Sequence, residues 1–430
     1  MAQQLFFSRD TKVYIKKGNF VWDLPVLDGF SFSQATNSSE ITLAEMEGTG
    51  GVSRRGRKQF NDSLAPAEWS FSTYVRPFTS AGSGTGAADS AAKVHAIEEI
   101  LWALFSGPAT YASNAFTNQT SHSTDAAVGL DIDFSESNKA TLGTADIFFV
   151  LGDANRKVYK LTGCVVNEAS LDFDIDGIAT INWSGMSSEI IDMTTKTHTT
   201  ATSGSVFPPA FDAHRDGGTV DIEIGDVVLN GTDAHRMSVV VDPTSSGTAT
   251  MTGAVYEATI ATDNFIRNRL TQLTVIPTAN TSYIGSLEAA GYDITLTGGN
   301  ITMSNNVTFI TPEEIGLVNT PIGHVTGTRS VSGSMNCYLS KDTGANDHSA
   351  DLWEDLKSIT SVVTNSFALV FKIGGATGNT ARLEVNMPTC HLEIPTHSIE
   401  DVISVETSFN ALPSTIDGTN EVTLKYFPKA

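Results

Sequence analysis

Two stretches near the start of the chain alternate between apolar and polar residues with a period of two. Residues 30–33 read FSFS, and residues 69–76 read WSFSTYVR. Successive side chains of a β-strand point to opposite faces, so this alternation is typical of antiparallel strands with one face in a core and the other on a surface. The pattern therefore predicts two half-buried strands early in the chain.

The connection between these strands, Glu47 to Ala67, is rich in Gly, Ser and Arg. Connections longer than about 12–15 residues in a compact domain are usually functional or disordered. This composition cannot build a hydrophobic core. We therefore predict an extended arm that reaches out from a β-barrel or sandwich to contact another surface.

A helix is predicted next, with a cap at Asp89 or Ser90 and an end at Gly107. Its apolar residues recur at helical spacing and form one stripe: Val94, Ile97, Leu101 and Leu104. Residues 109–140 are polar and without periodicity, which is typical of a loop. Strands are predicted again at 146–151, 157–166, 170–176 and 178–185.

The second half of the chain repeats this order. The segment EEIG at 313–316 corresponds to EMEG at 45–48, and SVSGSMNCYL at 330–339 corresponds to the strand that begins at Glu68. A shorter, nearly uncharged arm, Leu317 to Thr328, lies between them. A short helix capped by Ser349 or Asp351 follows, and then four further strands at 367–373, 381–385, 391–394 and 403–409. The shared order predicts an internal duplication.

The predicted fold is therefore mainly β: two tandem antiparallel β-barrel or sandwich domains, each with one flanking α-helix and a long extended arm. The first domain covers residues 1–195 and the second covers 265–430. Residues 196–264 form a Thr/Ser/Pro-rich linker followed by alternating segments, which are either an inserted β-hairpin layer or strands that complete one of the barrels. The simpler alternative is a plain two-domain β-sandwich protein.

Composition limits the class of protein. The chain is 40% hydrophobic and 17% charged, which suits folded cores rather than disorder. Its net charge of −22 is spread along the whole length, and such a surface repels the nucleic-acid backbone. Cys164, Cys337 and Cys390 show no metal-type spacing and are expected to be buried thiols in a reducing compartment. No apolar run is long enough to predict a membrane span.

The triplet Asp172, Asp174 and Asp176, followed by Gly177, resembles the opening of a calcium loop. Such a loop needs a bidentate Glu at its twelfth position, where this chain has Trp183. Apolar residues interleave with the three carboxylates, so the segment is better explained as a strand with an acidic outer face. We expect neither calcium nor another tightly bound metal.

The arm carries a basic cluster with a neighbouring aromatic residue: Arg54, Arg55, Arg57, Lys58 and Phe60. One such cluster is weak evidence for nucleic-acid binding in a chain this acidic. A basic arm fits better onto the acidic surface of another copy of the same protein. No catalytic or metal-binding spacing of His, Cys or Ser is present, and Glu98–Glu99 is expected on the solvated side of the helix. We therefore expect no catalytic residues, cofactor or metal.

The segments FSFSQATNSSEITL, SRRGRKQFNDSLAP, AEWSFSTYVRP and ILWALF together resemble bacteriophage tail tube proteins, over residues 25–190 and more weakly over 265–430. The resemblance implies a small β-barrel with one flanking helix, six of which form a ring, and rings that stack into a tube through which DNA leaves the capsid. The arm would then reach the adjacent ring. Asp172, Asp174 and Asp176 would be candidates for the lumen lining.

A duplicated tube domain implies that three chains form each ring. The implied partners are further copies of the chain, the tail terminator, the baseplate or tip and, in a sheathed tail, sheath proteins, with DNA passing without specific binding and no membrane contact. The implied location is the virion tail, assembled in the host cytoplasm. Two alternatives from other classes are a β-rich decoration or adhesin protein of the virion and a carbohydrate-active β-sandwich enzyme.

Overall fold

A computed structural model describes most of the two halves predicted from the sequence and short parts of the segment between them. The described residues are 5–18, 20–42, 57–79, 92–112, 115–134, 141–152, 157–193, 197–200, 210–212, 227–230, 237–239, 248–250, 255–256, 264–277, 291–315, 318–341, 348–358, 367–375, 380–399 and 401–429.

The chain is mainly β, as the sequence predicts. In residues 1–195 the strands are β1 (Lys12–Lys17), β2 (Phe20–Leu24), β3 (Ser31–Thr42), β4 (Arg57–Tyr74), β5 (Pro77–Thr79), β6 (Val94–Ala96), β7 (Tyr111–Ala112), β8 (Ala115–Phe116), β9 (Thr120–His122), β10 (Leu130–Asp133), β11 (Ala145–Leu151), β12 (Lys157–Asp174), β13 (Thr180–Ser187) and β14 (Glu189–Asp192). Helix α1 (Glu99–Ser106) lies between β6 and β7.

The middle segment and the second half continue this architecture. The described strands of the middle segment are β15 (Thr197–Thr200), β16 (Ala210–Asp212), β17 (Val227–Asn230), β18 (Met237–Val239), β19 (Thr248–Thr250) and β20 (Val255–Tyr256). Those that follow are β21 (Gln272–Pro277), β22 (Tyr292–Ile294), β23 (Leu296–Ser304), β24 (Thr308–Ile310), β25 (Gly323–Val325), β26 (Ser330–Tyr338), β27 (Phe367–Ile373), β28 (Arg382–Leu392), β29 (Thr396–Ile399), β30 (Ile403–Ala411) and β31 (Thr423–Phe427). Helix α2 (Ser349–Ser358) precedes β27.

Strand pairing follows the same order in the two halves. In the first half the ladder runs β2–β1–β11–β12–β13–β4–β3. In the second half it runs β22–β21–β27–β28–β30–β26–β23. Each strand of the first ladder thus has a counterpart at the same place in the second, and each helix lies between corresponding strands, which agrees with the order of elements predicted from the sequence.

The two halves join by direct strand pairing. β12 pairs antiparallel with β23, with Ser170 opposite Thr302 and Asp172 opposite Asn300. β10 of the first half also pairs with β31 at the end of the chain. The first junction produces one continuous antiparallel sheet in the order β3–β4–β13–β12–β23–β26–β30, which is completed by the end of β28 and by β29.

One face of this continuous sheet is apolar and buried, since period-two alternation places every second side chain on it. Large residues of both halves contribute to the core: Trp69, Phe71, Leu171, Phe173, Ile181, Trp183, Ile301, Met303, Met335 and Phe409. The three cysteines are also buried, and burial raises the pKa of each thiol. They pack as small apolar residues, as expected.

The first helix differs from the predicted one at its start. Val94 lies in β6, which pairs with β5, so the helix begins at Glu99. The proposed caps Asp89 and Ser90 lie outside the described residues. The end at Gly107 is confirmed, and all residues of α1 are buried, not one stripe alone. No described helix is long and apolar enough to span a membrane.

Two predicted loops contain regular structure. The part of the arm from Arg57 to Ala67 belongs to β4 and pairs with β3, because backbone hydrogen bonds continue past the alternating core residues. The predicted loop 109–140 includes β9 and β10, and β10 pairs with β31. Sequence periodicity did not show the arm strand because its side chains near the tip are exposed on both faces. In the middle segment, β20 pairs with β2.

Candidate assembly surfaces

The continuous sheet has one edge strand in each half. Among the described residues, β3 pairs only with β4. At the opposite end, β29 pairs only with β30, and its four residues are exposed. Exposed strand edges present unpaired N–H and C=O groups that can pair with another chain. The sheet therefore ends in two surfaces suited to strand addition.

The solvent-facing side of the same sheet is polar. It consists mostly of hydroxyl, amide and carboxylate side chains in rows across neighbouring strands, with Met186 opposite Glu68 as an apolar exception. We call the following polar residues the polar face: Ser31, Ser33, Glu68, Ser70, Ser72, Glu168, Ser170, Asp172, Asp174, Thr180, Asn182, Ser184, Asn300, Thr302, Ser304, Ser332, Ser334, Asn336, Ser404, Glu406, Ser408 and Asn410. Hydrogen bonds link neighbouring strands across it, for example Ser72 Oγ to Asn182 Oδ1 at 2.6 Å and Asn182 Nδ2 to Asp172 Oδ2 at 3.1 Å.

Two of the three predicted acidic residues lie on the polar face. Asp172 and Asp174 are exposed near the end of β12. Asp176 does not share that face, because β12 ends at Asp174 and Asp176 lies in the turn to β13. Its carboxylate Oδ1 is 3.7 Å from Arg269 Nη1, and both side chains are largely exposed. The prediction that all three carboxylates share one strand face is therefore wrong for Asp176.

The first arm is a β-hairpin in its described part, where β3 pairs with β4 as far as Thr42 opposite Arg57. Lys58 Nζ lies 5.2 Å from the centroid of the Phe60 ring, and Phe60 is 43% exposed. Arg57 Nη1 is 3.5 Å from the Glu40 carboxylate across the hairpin. Arg54 and Arg55 lie outside the described residues. The described basic residues of the arm are thus solvent-facing.

The second arm lies beside the first. Leu64 N donates to Asn319 O at 2.8 Å, and Asn319 N donates to Asp62 O at 3.2 Å. β24 and β25 form the hairpin of this arm. Exposed apolar residues lie in this hairpin and next to it: Ile310, Ile315, Val318, Ile322 and Val325. The described parts of the two arms are therefore hydrogen-bonded to each other, and they carry exposed basic residues in the first arm and exposed apolar residues beside them in the second half.

A buried polar cluster lies away from these surfaces. Glu99 at the start of α1 is within 3.1 Å of His95 Nδ1 and 3.2 Å of His122 Nε2, measured from its Oε2 atom. The expectation that Glu98–Glu99 lies on a solvated helix face is wrong, since both residues are fully buried. Sequence reasoning missed the cluster because β6, α1 and β9 contribute one residue each.

The pKa values of the two buried glutamates are shifted in opposite directions. Burial raises the pKa of Glu98 to about 8. Burial also acts to raise the pKa of Glu99, but the nearby His95 and His122 outweigh it and lower that pKa to about 2. A charged carboxylate is thus held between two imidazole rings whose centroids are 4.2 Å apart.

Comparison with known proteins gives one informative similarity. The chain is 26% identical to the tail tube protein pb6 of Escherichia phage T5 over 438 aligned positions, which cover 100% of this chain and 77% of that protein. No protein-family model matches the chain. The resemblance to bacteriophage tail tube proteins is therefore confirmed, and it extends over both halves and the segment between them.

Proposed function

We propose that this protein is a structural component of a phage tail whose copies form rings, and that the rings stack into a hollow tube that conducts viral DNA. The similarity to a tail tube protein supports a structural role in the tail rather than an enzymatic one. The observation that carries the proposal is the continuous sheet, in which two equivalent sets of four strands are joined edge to edge.

The junction within the chain suggests how chains join each other. β12 of the first set pairs with β23, which is the first strand of the second set. The counterpart of β12 in the second half is the end of β28 together with β29. The counterpart of β23 in the first half is β3. Pairing the β28–β29 edge of one copy with β3 of the next would repeat the internal junction between chains. A contact between two different surfaces generates a closed ring when its rotation closes.

Strand direction is compatible with this closure. Every neighbouring pair in the continuous sheet is antiparallel. The sheet has an even number of strands, so its first and last strands run in opposite directions. The last strand of one copy would therefore meet the first strand of the next in antiparallel orientation. This repeats the antiparallel pairing of β12 with β23 inside the chain.

The ring would contain three chains. Residues 1–195 and 265–430 would each provide one tube domain, so three chains provide the six domains implied by the resemblance. Residues 196–264 would lie at the domain junction or on the outer wall, where added mass does not obstruct the bore. The matching order of pairing in the two halves supports this division of the chain.

The polar face would line the lumen. It carries five carboxylates, Glu68, Glu168, Asp172, Asp174 and Glu406, and no lysine or arginine. Affinity for DNA grows with the number of phosphates that Lys or Arg neutralise. A wall of hydroxyl, amide and carboxylate groups would repel or weakly contact the phosphates, so DNA could slide without specific binding.

The paired arms would contact an adjacent ring. Arg54, Arg55, Arg57 and Lys58 are opposite in charge to the body of the protein, and Phe60 lies exposed beside Lys58. Complementary charge orients docking and raises the association rate. The remaining partners would be those of a tail tube: the terminator, the baseplate or tip and, in a sheathed tail, the sheath. The tube would be assembled in the host cytoplasm and remain in the virion.

A disulfide experiment tests the ring contact. Glu168 lies opposite Ser184 on one side and Ser304 on the other. In the second half, His391 lies opposite Asn410, which is the counterpart of Ser184, so His391 takes the place of Glu168. Ser33 on β3 is the counterpart of Ser304 on β23. The double variant Ser33→Cys/His391→Cys should therefore form interchain disulfides in assembled tubes, because directly opposed residues in neighbouring strands have Cβ atoms about 4.5–5.5 Å apart.

The readout is covalent multimers on a denaturing gel without reductant after mild oxidation. Each single variant is a control, and Ser33→Cys/Ser414→Cys places the second thiol on an exposed loop outside β28 and β29. The three native cysteines are buried and should not contribute. Tubes of the double variant that yield only monomer would refute the proposed contact.

A further inference from the structure

We propose that His95, Glu99 and His122 form a structural binding site for a divalent transition-metal cation, best suited to zinc. The three ligand atoms, His95 Nδ1, Glu99 Oε2 and His122 Nε2, all lie within 4.8 Å of one another. The cluster is separate from the sheet edges, the polar face and the arms, so the site is independent of the proposed ring contacts.

The donor set matches zinc chemistry. Zinc in proteins takes imidazole nitrogen and carboxylate oxygen ligands at about 2.0–2.2 Å in tetrahedral geometry, which places neighbouring ligand atoms roughly 3.3–3.5 Å apart. The Glu99 oxygen is 3.1 Å from His95 Nδ1 and 3.2 Å from His122 Nε2. Small side-chain adjustments would therefore bring all three atoms to bonding distance of one cation.

The second oxygen of Glu99 points to the same conclusion. Glu99 Oε1 is buried and has no hydrogen-bond partner among the described residues. The carboxylate is paired only through Oε2, which lies at hydrogen-bond distance from His95 and His122 and accepts from Ala96 N at 3.4 Å. Burying a polar oxygen without a partner is costly, and a cation bound to Oε2 could also contact Oε1.

The position of the site suggests what the cation would stabilise. His95 lies in β6, Glu99 begins α1 and His122 ends β9. β9 pairs with β10, which pairs in turn with β31 from the end of the chain. A cation would therefore tie the first helix to a strand layer that both halves build, although the spacing of these residues in the sequence gave no indication of it.

Metal content of the full-length protein, expressed without a histidine tag in zinc-supplemented medium, tests the site. We expect elemental analysis to find about one zinc per chain. Because the cation would bind the folded chain, its binding would stabilise the fold, and the urea midpoint should be higher with zinc than after chelation. Cobalt(II) added to chelator-treated protein should give the absorption bands of a tetrahedral site.

Variants assign the ligands. Glu99→Gln and His122→Ala should lose the zinc, while His391→Ala, an exposed histidine outside the cluster, should keep it. Wild-type protein that takes up neither zinc nor cobalt, with an unchanged urea midpoint, would overturn the proposal without relying on any variant. Full zinc retention in a folded His122→Ala variant would equally overturn it.

Discussion

Two glycines allow aromatic rings to pack against the backbone of neighbouring strands. A Cβ at Gly185 would meet the carbonyl oxygen of Val165 and the ring of Trp69. A Cβ at Gly333 would meet the Asn300 carbonyl oxygen and the Phe409 ring. In each half, a glycine in the sheet thus leaves the space that a large core residue fills.

The first prediction at this scale concerns Gly185. Gly185→Ala should lower the free energy of unfolding by about 1–3 kcal/mol, since overpacking forces side chains and backbone to shift. Gly323→Ala is the matched control, because the space around that glycine is open. Urea denaturation of the unassembled chain measures both. Equal midpoints for the two variants would contradict the close packing of Trp69 on Gly185.

The second residue-scale prediction concerns the lumen. Asp172→Lys/Asp174→Lys should leave folding and tube formation intact, because both side chains are exposed, but should slow DNA release. Lysines on the wall would bind phosphates, and this retardation should weaken as salt is raised. Release from virions can be followed with a DNA-binding dye. The Asp176→Lys variant, which changes the turn and not the polar face, is the control.

Faster or unchanged release from the Asp172→Lys/Asp174→Lys particles at low salt would argue against a lumenal position for these residues.

Alternation identified Asp172 and Asp174 from the sequence because strand side chains follow a fixed period. It failed at Asp176, where the chain leaves the strand. The separate prediction of a solvated helix face failed at Glu99, whose partners His95 and His122 lie in strands outside the helix.

At the scale of elements, the first arm shows how hairpins can be mistaken for loops. Its composition predicted an extended arm, yet β4 continues through residues 57–67 against β3. Most side chains near its tip are exposed on both faces, so no apolar alternation revealed the strand. The contact between Asn319 and the first arm was also not predictable, because it joins segments more than two hundred residues apart.

For the first arm, we predict that removing its positive charge impairs assembly but not folding. Replacing Arg54, Arg55, Arg57 and Lys58 with Ser should leave a folded, soluble protein that polymerises poorly. Exposed charges contribute little to stability, whereas complementary charges between copies speed association. Circular dichroism reports folding, and light scattering reports polymerisation.

A matched control replaces four exposed lysines or arginines outside the arm: Arg9, Arg267, Arg269 and Lys341. This control variant should assemble at the wild-type rate if polymerisation depends on the basic residues of the arm and not on the net charge of the chain. Loss of folding in the arm variant, or normal assembly at every salt concentration, would show that the arm is not an assembly contact.

At the scale of the whole molecule, the order of elements predicted the duplication that we propose, because each half repeats strand, arm, strand, helix and strands. What the sequence did not show was the edge-to-edge pairing of β12 with β23. Strand alternation reports which side chain faces a core but carries no information on which distant strand lies alongside. The register between the halves therefore became visible only in the structure.

Covalent linkage of the two proposed tube domains makes one contact between them intramolecular. A tethered second domain meets the first at an effective concentration that reaches the millimolar range for short linkers. The contact between β12 and β23 forms within one chain and therefore does not depend on protein concentration. Only the contacts between chains, half of the total in a ring of three, depend on protein concentration.

Counting the chains in each ring of the tube tests the central claim most directly. Cryo-electron microscopy of assembled tubes, refined without imposed rotational symmetry, gives this number. We expect three chains per ring, with true threefold and approximate sixfold symmetry, and with β29 of one chain paired to β3 of the next. Six chains per ring would contradict the account, because the second half would then be an accessory domain and not a second tube domain.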